Sequence, residues 1–175
     1  QNYFEKNKED NYKILSQIYP YISIYYMKKN NPDSVMYYFK KGYDISVLKK
    51  DTVNMINSIT VYNNYLLNEL PEQKVLLDSL IKKMNLLINN SSSFEAIFTQ
   101  KMLQIKYRLI VLKDNNVENK LREFESLIGE NHFLNTFLLK LQQLYFEKTE
   151  NYKKALEKRE EWQKLFAFFL EESDG

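Results

Sequence analysis

Cysteine is absent from the 175 residues of this chain, glycine and proline occur three times each, and histidine once. Each scarcity excludes a class of function. Without cysteine there is no disulfide scaffold, no thiolate zinc site and no cysteine nucleophile. Gly42, Gly129 and Gly175 stand far apart, whereas Rossmann and P-loop sites need two or three glycines in one short stretch. So few glycines and prolines cannot supply the turns of a β-sandwich or barrel, which recur about every 8–12 residues. No apolar run reaches the roughly 18–20 residues that span a bilayer. The polar opening, residues 1–10, does not read as a signal peptide and is expected to be a flexible lead-in. It also fits the remnant of a removed leader. His132 has no carboxylate pair nearby to complete the three or four ligands that zinc requires, and no serine is marked as its catalytic partner. It reads as a helix-start residue. No metal, no cofactor and no catalytic residue is therefore expected.

What the chain does have is apolar and aromatic surface. Hydrophobic residues make up 44% of it, and 14 Tyr, 11 Phe and 1 Trp make it 15% aromatic. That is enough for a core, so disorder is excluded and one domain over residues 1–175 is the expectation. Lys and Arg number 25 against 23 Asp and Glu, a net charge of +2. The two signs are interspersed, which leaves no basic stripe for nucleic acid. The pairs Lys28-Lys29, Lys40-Lys41, Lys49-Lys50, Lys82-Lys83 and Lys153-Lys154 read as solvated helix faces or ends.

The periodicity is helical nearly throughout. Leu15, Tyr19, Ile22 and Tyr26 form one stripe at spacings of 4, 3 and 4, and Ile14, Ile18, Tyr21 and Tyr25 form a second beside it. Pro20 predicts a kink or a fresh helix start near Tyr19. Asn31-Pro32 predicts the next start, Asp51 caps another, and Pro71 opens a fourth. The polar break from Asn89 to Ser93 contains two formal glycosylation sequons, read here as turn sequence, and Ser92 with Glu95 has capping-box spacing. Asp114-Asn115-Asn116 is a further turn, and Gly129 stands where a left-handed C-cap belongs. The result is an all-α chain of eight helices with short turns, or four consecutive helical hairpins.

Tyr19, Ile22, Ser23 and Tyr26, then Val35, Phe39 and Gly42, follow a pattern of close helix contact. Small residues at Ser23, Val35 and Gly42 let two axes approach, and aromatics fill the space around them. Gly inside a helix costs ~1 kcal/mol relative to Ala, so its use at Gly42 points to a need for room. The pattern resembles the tetratricopeptide (TPR) repeat. It returns in the last pair around Phe146, Tyr152 and Ala155, and departs there at Arg159 and Trp162. The second pair keeps Tyr62, Tyr65 and Leu77, and the third fits poorly. Asp51-Thr52-Val53-Asn54-Met55 and Asn151-Tyr152-Lys153-Lys154-Ala155 are similar to repeats attached to Bacteroidetes-type envelope lipoproteins and regulators.

The resemblance implies an α-α superhelix of about four antiparallel pairs. It implies a non-enzymatic protein- or peptide-binding scaffold using the surface lined by the first helix of each pair, in the periplasm or cell envelope. The alternative it leaves is an extracytoplasmic sensor segment of a larger signalling protein. The contact residues it implies are Ile24, Lys28, Asn63, Leu67, Lys140 and Leu144. The tyrosine cluster of Tyr21, Tyr25, Tyr26, Tyr37, Tyr38 and Tyr43 reads as packing at helix seams. The apolar close of the chain, Trp162, Leu165, Phe166, Phe168, Phe169 and Leu170, wants a cover: a further segment, a continuation of the chain, or a second copy through self-association of this helix.

Overall fold

A computed structural model of the chain describes residues 2–89 and 93–173. Among the described residues all regular structure is helical: α1 (Asn2–Lys28), α2 (Pro32–Leu48), α3 (Thr52–Glu69), α4 (Lys74–Ile88), α5 (Phe94–Tyr107), α6 (Glu118–Ile128), α7 (His132–Lys148) and α8 (Tyr152–Ser173). The all-α expectation is met. No glycine or proline interrupts residues 2–19, and the segment expected as a lead-in is part of α1. Ser92 of the expected capping box, and the sequon residues 90–92, lie outside the described residues. The chain forms two compact units, Gln1–Ala96 and Ile97–Gly175.

In the first unit α1 lies against α2 and α3, α2 against α3, and α3 against α4. Val35, Ile59, Leu66, Leu67, Leu77 and Met84 form its fully buried centre. The seam of small residues predicted from sequence is present. A Cβ added at Gly42 would stand 3.1 Å from Cβ of Tyr19, 3.4 Å from Cδ of Pro20 and 3.4 Å from Oγ of Ser58. The backbone of α2 thus touches both α1 and α3 at one residue. Ser23 of α1, fully buried, donates a hydrogen bond to the Val35 carbonyl of α2 at 3.3 Å. Around this contact Tyr26 stacks on Tyr38 with centroids 5.3 Å apart, and Phe39 stacks on Tyr62 at 4.3 Å. The Tyr26 phenol beside it holds the Tyr38 hydroxyl above the ordinary tyrosine range.

Two of the three prolines of this unit, Pro20 and Pro71, do not start a helix. α1 runs on through Pro20, which is buried, without a fresh start. Pro20 carries no N–H, so the Ser16 carbonyl one turn back has no helical donor. Pro71 does not open α4. Leu70 is driven out of helical geometry, with φ −138° and ψ 52°, as a residue before proline is. The turn that follows delays α4 to Lys74.

The tight turns share one device. Asn30, Lys50 and Glu150 take left-handed φ of 51°, 55° and 60°. After each, the next N–H reaches back five residues: Asn31 to the Tyr26 carbonyl, Asp51 to Ser46, Asn151 to Phe146. That same next residue then caps the following helix. Its Oδ1 accepts from the N–H of Ser34, Asn54 or Lys154. One residue closes a helix and its neighbour opens another, which explains turns this short in a chain with almost no glycine.

The second unit is built from α5, a π-helical turn over Arg108–Leu112, α6, α7 and α8. Its core joins Phe98, Ile105 and Leu109 to Val117, Leu121, Phe124 and Ile128 and to Leu138 and Leu141. Phe98 packs on Phe124 at 5.0 Å and edge-on to Phe137 at 5.4 Å. The π turn ends at Lys113 with φ 51°. There Arg108 pairs with Asp114 at 2.6 Å, and the Asn116 N–H, then Arg108, hold the Asp114 carboxyl below the usual carboxylate range. Gly129 has positive φ as expected, but its φ 57° and ψ −136° lie outside the left-handed helical region.

Three substitutions separate these roles in urea unfolding followed by circular dichroism. Gly42→Val lowers stability by about 1–3 kcal/mol through overpacking. Gly129→Ala lowers it by about 1–3 kcal/mol through backbone strain alone, since nothing lies within 4 Å of the added Cβ. Glu150→Gly raises it by about 0.5–1 kcal/mol.

Candidate functional site

The face of α1 at Gln17, Tyr21 and Ile24 repeats at spacings of 4 and 3, and Val53, Asn57 and Thr60 do the same on α3. These two faces form the walls of a groove of about 560 Å³, with Pro20, Asp51, Asn54 and Val61 completing it. Its base is held by a buried polar knot. Asn54 Nδ2 donates to Asp51 Oδ2 at 2.8 Å and to Ser16 Oγ at 3.2 Å. Asp51 Oδ1 meanwhile accepts from the Asn54 N–H at 3.1 Å. Asn54, oriented by Asp51, therefore ties the start of α3 to the turn of α1 just below Pro20. Thr60 donates its hydroxyl back to the Ile56 carbonyl at 2.7 Å, which leaves its oxygen lone pairs for an incoming donor.

The side chains left to the groove are of two kinds. Gln17 and Asn57 are exposed and carry primary amides, one on each wall. Tyr21, Ile24, Val53 and Val61 are apolar, and Tyr21 is 72% exposed. An amide presents one acceptor and two donors in a plane, which matches the C=O and N–H of a peptide bond. The arrangement can hold an extended backbone by hydrogen bonds while the apolar rim takes small side chains.

The six contact residues implied by the resemblance separate in the structure. Ile24 lines the groove, half-buried, and Lys28 is exposed one turn further along α1. Asn63 and Leu67 are in the core of the first unit, 0% and 2% exposed. Neither side chain reaches the surface where a partner would dock. α3 is apolar over so wide an arc that its periodicity does not reveal which face stays open. That face is the one with Asn57, Thr60 and Val61. Both amide atoms of Asn63 are buried with no hydrogen-bond partner. Lys140 and Leu144 belong to the second unit. Lys140 Nζ sits 3.6 Å above the Trp162 ring. Partial burial, then the nearby Arg159 charge, lowers its pKa from the ordinary lysine value. Leu144 packs against the second unit's core.

The tyrosine cluster is also sorted. Tyr26 and Tyr38 fill the α1–α2 seam, but Tyr21, Tyr25 and Tyr37 are more than half exposed. The lysine pairs answer part of that exposure. Lys29 lies over Tyr25, Lys41 over Tyr37, Lys49 over Tyr12, Lys83 over Tyr43 and Lys154 over Phe146, at 4.6 to 5.8 Å from the ring centres. One lysine of each pair thus covers an aromatic face rather than standing free in solvent. Each such contact is worth about 0.5–1 kcal/mol at an exposed site.

His132 is exposed at the first position of α7, beside a shallow hollow with Glu125, Glu130 and Asn135. Among the described residues, no group of three or more His, Asp or Glu side chains is placed to hold a metal ion. None of the helices is long and apolar enough to cross a membrane among those residues. Comparison with protein-family models, with curated proteins and with solved structures finds no match to this chain.

Two variants distinguish the buried amides. Asn54→Ala removes the knot and the stability of the first unit falls by about 1–3 kcal/mol. Asn63→Leu replaces an unpaired buried amide by an apolar group of the same branched shape, and stability holds or rises by about 1 kcal/mol. Thermal and urea unfolding of the two proteins check the contrast.

Proposed function

We propose that the chain is a non-enzymatic, TPR-like protein- or peptide-binding scaffold, and that an extended peptide segment lies in the groove between α1 and α3. The observation that carries this reading is the pair of exposed amides, Gln17 of α1 and Asn57 of α3, lining one groove together with apolar side chains. The neighbourhood supports it. The groove lies between the first helices of two successive pairs, as the resemblance implies, and the close seam at Gly42 has the small residues such repeats use. Recognition of this kind draws affinity from the peptide backbone and selectivity from the side-chain pockets beside it. Tyr21 supplies a rigid aromatic wall with only two torsions to freeze, at low entropic cost.

The test begins with peptides selected from a random display library on the purified chain. Binding of the selected peptides is expected to fall at least tenfold in the Tyr21→Ala/Asn57→Ala protein, with its melting temperature within a few degrees of the parent. Lys140→Ala, in the other unit, leaves the same affinities unchanged. A library that yields only peptides indifferent to Tyr21 and Asn57 refutes the groove as the binding site.

A further inference from the structure

The second unit carries an interaction surface of its own. α8 lies against α7 with one face: Ala155 is buried, Trp162 lies under Lys140, and Phe169 meets Phe133 at 5.8 Å. A different face of the same helix is turned outward. Tyr152, Leu156, Arg159, Gln163, Phe166 and Leu170 follow one another at spacings of 4, 3, 4, 3 and 4, the period of a coiled-coil seam. All six are exposed. Tyr152 is 68%, Leu156 55%, Phe166 41% and Leu170 54% accessible. An amphipathic helix with two apolar faces needs two partners, and α7 covers only one.

The order of residues along this seam says what the second partner is. The seam is symmetric about Glu161: Tyr152 and Leu170 each stand nine residues away, Leu156 and Phe166 five, Arg159 and Gln163 two. Reversing the helix therefore superposes apolar on apolar and the two central polar residues on each other. The flank behaves the same way. Lys153, Glu160, Lys164 and Glu171 are exposed along one edge of the seam. In an antiparallel pair Lys153 faces Glu171 of the second copy, and Glu160 faces Lys164. A parallel pair would instead set Arg159 against Arg159 in the seam, which like-charge repulsion opposes, and would not bring Lys153 to Glu171.

We propose that the outer face of α8 docks antiparallel on α8 of a second copy of this chain, in a twofold, self-complementary interface. Tyr152 packs against Leu170 of the other copy and Leu156 against Phe166, while Arg159 donates to the Gln163 amide at the centre. A twofold interface uses one patch twice, so a single symmetric seam is sufficient to build it.

Sedimentation equilibrium across micromolar to several hundred micromolar concentrations is expected to show a monomer–dimer equilibrium. Leu156→Glu/Phe166→Glu weakens it at least tenfold, with far-UV circular dichroism unchanged. Should that double variant unfold, charge variants carry the test. Lys153→Glu weakens the dimer, and adding Glu171→Lys restores it. Orientation is read by crosslinking, since the chain has no cysteine of its own. An equimolar mixture of Leu156→Cys and Phe166→Cys proteins forms a disulfide-linked heterodimer under mild oxidation, and neither protein alone does so at a comparable rate. A chain that stays monomeric at the highest concentration overturns the proposal. So does a dimer untouched by the seam and charge variants, or a preferred Leu156→Cys homodimer.

Discussion

The first unit depends on the contact of α2 with two helices at Gly42. At this residue the absence of a side chain lets the backbone reach Tyr19 and Pro20 of α1 and Ser58 of α3 together. The other small residues follow from it. Ser23 and Ser46 are fully buried because axes this close leave room for nothing larger, and each satisfies its hydroxyl on a nearby carbonyl, Val35 and Gly42 respectively. The aromatic stacks lie outside this constriction, where the helices diverge and large rings are needed to fill the gap. The groove inherits the same constraint. Pro20 touches Gly42 on one side and lines the groove on the other, so the spacing of the groove walls is set by the helix behind them.

Much of this was legible in the chain. The Tyr19–Gly42 pattern identified a close-packed pair, and the helix starts at Asn31 and Asp51 are where the sequence put them. The short turns were legible for a chemical reason: Asn and Asp cap helices well whatever surrounds them. Their left-handed partners were not. Lys50 and Glu150 have no local preference for positive φ, and only the pull of the two helices they join holds them there. The division into two units was equally hidden, because helical periodicity records which residues are apolar and not which helix they meet.

The groove was half legible. Ile24, implied by the resemblance, does line the groove. Asn63 and Leu67, implied by the same resemblance, are buried, since α3 packs against α1, α2 and α4, and a helix with three neighbours has no single apolar stripe to mark its open face. A polar residue on such a helix is a poor guide to exposure. Asn63 is fully buried, and Asn57, six residues earlier, is open. The distinguishing signal is the ladder of short polar side chains Asp51, Asn54, Asn57 and Thr60, which repeats at three residues along one edge of α3.

The aromatic excess separates into three populations by what covers the rings. Some are packed in seams, as Phe39, Tyr62, Phe98 and Phe124 are. Others reach the surface but lie under a lysine, as Tyr12, Tyr25, Tyr37 and Tyr43 do. There the aliphatic stem shields the ring while the ammonium stays in water. The most exposed aromatic rings of the described surface, Tyr21 at 72% and Tyr152 at 68%, have neither kind of cover. One lines the groove of the first unit and the other begins the outer seam of α8. In the two proposed interfaces, a peptide in the groove would cover Tyr21 and a second copy on α8 would cover Tyr152.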